Sequence, residues 1–223
     1  LTLVFGIMHV INLAHGAFYM LGGYIAFSLV GWTGSMWLAL LLAIPVGVLI
    51  GLAVERLMIT FLYDRDHLDQ VLLTFALILL ANEAQSLIWG NDPHGLPIPQ
   101  LLQGSIQLTD RLAYPIYRLF LSGVCLVLAV GMFVVIQRTR LGMVIRAGSA
   151  NREMVQALGI NIRWLNTLVF SAGAGLAAFA GALAAPISSI YPGVGDSILI
   201  ICFVVIVVGG IGSIKGAFVA ALL

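Results

Sequence analysis

The sequence predicts an all-α, polytopic transmembrane bundle of about seven to eight helices, the terminal ones truncated, forming a single domain over residues 1–223. Three observations carry this expectation. The residues AVILMFWYC make up 61% of the chain and charged residues only 9%, against about 25% charged in a soluble globular domain, so a water-facing surface cannot be assembled. Several apolar runs of about 20 residues, the length that crosses a hydrocarbon core of roughly 30 Å, alternate with short polar stretches, giving a mean hydropathy of +1.12. A run such as 198–209 also lacks the apolar–polar alternation that a membrane barrel strand requires.

Residues 1–30 would form a helix about 45 Å long at 1.5 Å per residue, more than a bilayer core requires. The polar cluster NLAHG, Asn12 to Gly16, therefore divides it into a truncated first helix and a second over 17–32. The third covers 36–54, with a kink expected at Pro45, which lacks an amide donor and crowds the preceding turn. A polar loop, 55–70, leads to the fourth helix, 71–89. Pro93, Pro97, Pro99 and Pro115 exclude a transmembrane helix from 90–115. A fifth helix covers 116–136, a sixth 165–185 and a seventh 198–208, after which the glycine-rich turn GGIGSIKG, 209–216, leads into a truncated eighth.

Basic residues are retained on the cytoplasmic side of a membrane. Alternate connections divide them eight to two: Arg56, Arg65, Arg138, Arg140, Arg146, Arg152, Arg163 and Lys215 on one side, Arg111 and Arg118 on the other. The connection 137–164 is thus expected in the cytoplasm and the proline-rich segment outside. The formal net charge of +1 gives no sign of a nucleic-acid partner, which would need a clustered basic surface for phosphates; the basic residues read as topology signals.

Within 137–164, the segment ANREMVQALG reads as a short helix. Asn151 can cap it, Glu153 lies in the first turn where a carboxylate complements the helix dipole, and Gly159 can stop it. Met154, Val155 and Leu158 make an apolar stripe, suited either to lying on the membrane surface or to fitting a groove in a partner. In the sixth helix Gly173, Ala177 and Gly181 recur every fourth residue, a smooth stripe for tight helix packing or, less simply, for lining a pore. Gly22 and Gly23 are packing notches or sites of backbone bending. His15, with Asn12 beside it, either lines a water-filled cavity at a broken helix or hydrogen-bonds within the break. Glu83, six residues before the end of its helix, is expected to snorkel or pair in a polar vestibule.

Cys125 and Cys202 sit in apolar runs without a CxxC spacing or a nearby His cluster, and are expected to be buried small hydrophobes rather than metal or redox groups. In GGIGSIKG, Lys215 follows Ile214 and precedes Gly216, so the resemblance to a phosphate-binding loop is accidental. No hydrolase triad, HExxH or paired carboxylate points to enzymatic activity, a metal or a cofactor.

Three segments carry a family resemblance: TLVFGIMHVINLAHGAFYMLGGY, RTRLGMVIRAGSANREMVQALGINI and VVGGIGSIKGAFVAALL. They resemble the permease subunits of branched-chain amino-acid ABC importers, and the match spans essentially the whole chain. Related permeases for urea, short amides and other amino acids share these motifs. The resemblance implies a bacterial-type inner (cytoplasmic) membrane protein that pairs with a second, similar or identical permease, two cytoplasmic ATP-binding subunits and an external solute-binding protein. Hydrolysis would then belong to the partners and this chain would be no enzyme. It further implies that 149–160 is a cytoplasmic coupling helix, with Arg152, Glu153, Met154, Val155, Leu158 and Gly159 as its coupling residues. The family's Glu-to-Gly spacing is met by Glu153 and Gly159, although Met154 and Val155 replace the usual small pair. Asn12, His15 and Gly16 would form the pathway or its helix break. His9 departs from the pattern, where a small residue is expected. Complete relatives have further sequence at both ends, so the chain reads as a fragment. A secondary transporter would instead call for paired intramembrane charges, for which Glu83 is the single candidate, and a channel would pass solute downhill without ATP.

Overall fold

The structure is a computed structural model that describes residues 1–8, 12–63, 65–109 and 112–223. His9 and Arg111, both used in the reading above, lie outside the described residues. Among those described are ten α-helices: α1 Thr2–Met8, α2 His15–Thr33, α3 Met36–Leu57, α4 His67–Trp89, α5 Ile116–Arg138, α6 Arg140–Ala150, α7 Arg152–Ala157, α8 Ile162–Ala184, α9 Val194–Gly209 and α10 Ile214–Leu222. The ranges 36–57, 68–89, 116–138 and 162–184 are long and apolar enough to cross a membrane, and α9 is a shorter apolar helix. With 19 residues, α2 is about 28 Å long. The chain is a polytopic helical membrane protein.

α8 lies at the centre, packed most extensively against α3 and α2. Lipid chains are as apolar as leucine, so helices in a bilayer associate through close backbone approach rather than through expulsion of water. Small residues supply that approach here. A Cβ at Gly22 of α2 would lie 2.1 Å from the Ala178 carbonyl oxygen of α8, and one at Gly47 of α3 would lie 2.6 Å from the Ala178 Cβ. Gly51 meets Ala174 at 2.5 Å in the same sense. Gly22 is thus a packing notch, and Gly23 faces Ile190, whose Cγ1 would lie 3.2 Å from an added Cβ. On the face toward α1 and α2, Gly173 faces Val4 and His15, and Gly181 meets the Tyr19 backbone. Ala177 is buried.

Three buried clusters among the described residues follow from this arrangement, the smallest joining Ala17, Ile78 and Leu199. One, toward the end that carries α6 and α7, joins Phe18, Ile59, Ile136, Ile145, Val155, Leu165 and Phe170. Another joins Met20, Tyr24, Leu40, Ala182 and Ile190 at the opposite end. There the segment between α4 and α5 is fastened down by paired backbone hydrogen bonds between His94 and Ile190, both 2.8 Å, and the start of α5 by the Tyr117 hydroxyl donating to the Leu183 carbonyl at 2.8 Å.

Four features differ from the sequence-based expectations. The proline-rich segment holds a short antiparallel hairpin, β1 Ser105–Thr109 and β2 Leu112–Pro115, with Ile106 opposite Tyr114. The polar connection after α3 is shorter than 55–70, because α3 continues through Glu55 and Arg56 and α4 begins at His67. An amphipathic helix, α6, precedes α7; Thr139 caps it by accepting from the Gly142 amide at 3.2 Å. Finally, Cys125 and Cys202 are free thiols, but Cys125 is exposed on α5 and Cys202 half-buried. The correction has a simple cause: in a membrane helix an apolar neighbourhood in sequence does not imply the protein interior, because Leu126, Val127 and Val130 are themselves exposed.

Candidate functional site

The short helix α7 is delimited by its own chemistry at both ends. The Asn151 side-chain oxygen accepts from the Met154 amide at 2.9 Å, satisfying one of the free donors of the first turn. Glu153 lies in that turn. At the other end Gly159 adopts φ +83°, the left-handed region that glycine enters without steric cost. The Ile160 amide then donates to the Val155 carbonyl at 3.2 Å and the Gly159 amide to the Gln156 carbonyl at 2.9 Å. This pair of bonds is the Schellman arrangement, which closes a helix and brings apolar residues on either side of the glycine together. Ile160 packs against the same buried cluster as Val155. A second asparagine, Asn161, accepts from the Trp164 amide at 3.2 Å and starts α8 directly afterwards.

The apolar stripe of α7 is divided between two environments. Val155 is 3% exposed, whereas Met154 and Leu158 are 59% and 72% exposed. Val155 anchors the helix inward, and the other two face away. Arg152 is half-buried and Glu153 exposed.

Beside this helix, and unnoticed in the sequence, is a buried polar joint at the end of α3. Glu55 is 1% exposed. Its Oε1 accepts from the Tyr63 hydroxyl at 2.7 Å and from the Thr60 hydroxyl at 3.2 Å, while Thr60 also donates to the Glu55 carbonyl at 2.9 Å. Its Oε2 makes no hydrogen bond among the described residues and lies 3.8 Å from Arg56 Nε, an ion pair beyond hydrogen-bonding distance. Burial pushes the Tyr63 phenol up, as does its bond to Glu55, while the positive charge of Arg152 on α7 acts against both. Gln70, in the first turn of α4, donates to the Leu62 and Arg65 carbonyls at 3.0 and 3.3 Å. The signal missed was the four-residue spacing on α3 that carries Glu55 onto the buried face shared by Ala43, Gly47 and Gly51.

Asn12 to Ala14 of the NLAHG cluster lie outside a helix, whereas His15 and Gly16, expected within the break, are the first two residues of α2. Asn12 is fully buried, and neither amide atom has a hydrogen-bond partner among the described residues. His15 opens α2 and lines a cavity of about 440 Å³ with apolar neighbours including Val4, Met132, Val169 and Gly173. Gly16 has a different part: a Cβ there would lie 2.3 Å from the Gly195 carbonyl oxygen, so it allows α9 to approach α2. A second cavity of about 500 Å³ shares Ile136 and Ile145 with the first and is lined by the polar groups of Gln137, Arg146, Ser149, Ser213 and Lys215. Both cavities are lined by α1, α5, α6 and α10, and the first also by α8.

The remaining candidates fall outside these sites. Glu83 is exposed on α4, and the nearby buried amide, Gln85, donates to the Gly90 carbonyl at 2.7 Å. GGIGSIKG follows a helix rather than a strand. Its Gly210 and Gly212 adopt positive φ, and Ser213 caps α10 by accepting from the Gly216 amide at 3.1 Å. Among the described residues no group of three His, Cys, Asp or Glu side chains is placed to hold a metal ion.

The family described as the permease component of branched-chain amino acid transport systems matches residues 1–223. The chain belongs to this family. A high-affinity branched-chain amino acid transport system permease protein, BraD of Pseudomonas aeruginosa, is 32% identical over all of this chain and 76% of its own length. The corresponding LivH of Escherichia coli K12 is 28% identical with the same coverage. A probable branched-chain amino acid transport permease of Methanocaldococcus jannaschii is 26% identical over 98% of this chain and 70% of its own. No solved structure matched the chain. The helical bundle is thus that of a permease component of a transport system.

Proposed function

We propose that this permease imports a branched-chain amino acid, or a related small polar solute, across the inner membrane, receiving it from an external binding protein. It does so with a second permease and two cytoplasmic ATP-binding subunits. The segment 149–160 docks on one of those subunits. The observation that carries this reading is the posture of α7: capped at both ends, held inward by Val155, and presenting Met154 and Leu158 outward. A connector that merely closed a loop would not require two exposed large apolar side chains on a helix six residues long next to five arginines. Burial in a partner groove would stabilise the contact by roughly 1.5–3 kcal/mol for each large apolar side chain fully covered.

Transport follows as alternating access. Closure of the ATP-binding subunits displaces α7, and the permease pair exposes its pathway first outward and then inward. Nucleotide shifts this equilibrium only by its differential affinity for the two states, so the docked contact must differ between them. The Asn12 and His15 region supports the pathway lining, since His15 at the start of α2 puts an imidazole on an otherwise apolar cavity wall and Asn12 is buried three residues before it.

Affinity purification of the full-length permease with its ATP-binding subunit provides the test. Leu158→Asp should reduce recovery of the ATP-binding subunit, and Gly159→Val, which forces a β-branched residue to φ +83°, should misplace the helix and do the same. Undiminished recovery with both variants would identify α7 as a helix lying on the membrane surface.

A further inference from the structure

Among the buried polar groups outside α7 and the NLAHG cluster, Glu55 is the most costly to bury. A carboxylate at the C-terminal end of a helix opposes the negative pole of the helix dipole, and burial removes its hydration. Glu55 meets both conditions: it lies in the last turn of α3 and is 1% exposed. An apolar residue of similar volume would fill the space without either cost. Departures of this kind from local rules collect at functional positions.

Its surroundings define the function. The turn Ile59–Leu62 is gripped from both sides, by Glu55 of α3 through the hydroxyls of Thr60 and Tyr63, and by Gln70 of α4 through the Leu62 carbonyl. Ile59 belongs to the same contiguous buried cluster as Val155 of α7, with Tyr63 and Ile160 packed against it. The inward anchor of α7 and the polar joint between α3 and α4 are therefore joined through one packed apolar cluster.

We propose that Glu55 is a positioning residue for energy coupling: by fixing the Ile59–Leu62 turn through Tyr63 and Thr60, it passes displacement of α7 on to α3 and α4. The proposal rests on the reading of α7 as the helix that docks on the ATP-binding subunit. α3 is in turn locked to α8 through Gly47 and Gly51, so motion delivered at Glu55 reaches the centre of the bundle. Without the joint, α7 moves and the turn yields; hydrolysis continues, uncoupled from the transmembrane helices.

The test uses the complete transporter reconstituted in nanodiscs with its binding protein, comparing Glu55→Ala, Glu55→Gln and Tyr63→Phe. Three quantities are read: recovery of the ATP-binding subunit, basal hydrolysis, and hydrolysis stimulated by solute-loaded binding protein. Tyr63→Phe removes one oxygen and keeps the ring, so it remains informative if Glu55→Ala does not assemble. Glu55→Ala and Tyr63→Phe should both retain the ATP-binding subunit and basal hydrolysis, while stimulation falls about five-fold in Tyr63→Phe, the factor expected from one hydrogen bond of typical net strength, and at least as far in Glu55→Ala, which also loses the bond from Thr60. Glu55→Gln should recover most of the stimulation, because its amide oxygen still accepts from Tyr63. The double variant Glu55→Ala with Tyr63→Phe should be no worse than Glu55→Ala alone, since the bond that Tyr63→Phe removes is already lost in Glu55→Ala. Full stimulation in Tyr63→Phe with the ATP-binding subunit retained would overturn the relay and leave the docking reading standing. Loss of that subunit from Tyr63→Phe would also overturn it, by making the joint a docking support rather than a transmitter.

Discussion

Gly181 of α8 lies directly against the backbone of Tyr19 in α2: a Cβ at Gly181 would stand 1.9 Å from the Tyr19 carbonyl oxygen. No side chain fits that distance, and the obstacle is backbone rather than a flexible side-chain end. Overpacking of a fixed contact commonly costs about 1–3 kcal/mol, and more where neither element can yield. Gly181→Val should therefore lower the Tm of the detergent-solubilised permease and its yield in the membrane fraction. Gly31→Ala, at a position with nothing within 4 Å of the added carbon, should leave both unchanged. Equal Tm values for the two variants would contradict the packing assigned to α8.

The break between α1 and α2 allows stability and function to be separated. Asn12 is fully buried without a hydrogen-bond partner among the described residues, so replacing its amide with an apolar side chain removes an unmet polar group. Asn12→Leu should leave Tm equal or higher while uptake in proteoliposomes falls. His15→Leu should lower uptake too, since His15 lines the 440 Å³ cavity. Wild-type uptake in both variants would remove the pathway role from this cluster.

The caps of α7 give a third prediction. Asn151→Ala removes the acceptor for the Met154 amide and should destabilise the local helix by about 1 kcal/mol. Asn151→Asp retains an acceptor and should not. Hydrogen exchange at the amides of 152–157 measures the difference directly; equal exchange in the two variants would show that the cap contributes nothing.

These sites were unequally legible in the sequence. The helices, the NLAHG break and the ends of α7 could be read because their signals are local: run length, an asparagine before the first turn, a glycine after the last. Val155 could not be separated from Met154 and Leu158, because one apolar stripe can be divided between the body of the protein and its surface only by tertiary packing. Glu55 was assigned to a polar loop for a similar reason. A charged residue beside Arg56 near the end of an apolar run looks like the start of a connection, and its burial depends on Thr60 and Tyr63 folding back over it. The exposure of Cys125 shows the converse, since lipid makes an apolar surface as acceptable as an apolar core. The hairpin between α4 and α5 was missed because prolines are a stronger signal than five- and four-residue strands.

The central claim, that α7 meets the ATP-binding subunit through its outward face, is tested most directly by site-specific photocrosslinking in the assembled, full-length transporter. A photoreactive side chain at position 158 or 154 should crosslink to the ATP-binding subunit, and its yield should change when ATP binds. The same group at position 32, where Trp32 is 83% exposed at the opposite end of α2, should give no such product. Efficient crosslinking from 158 and 154, absent from 32, is the result predicted here; products with lipid alone from 158 and 154 would contradict it.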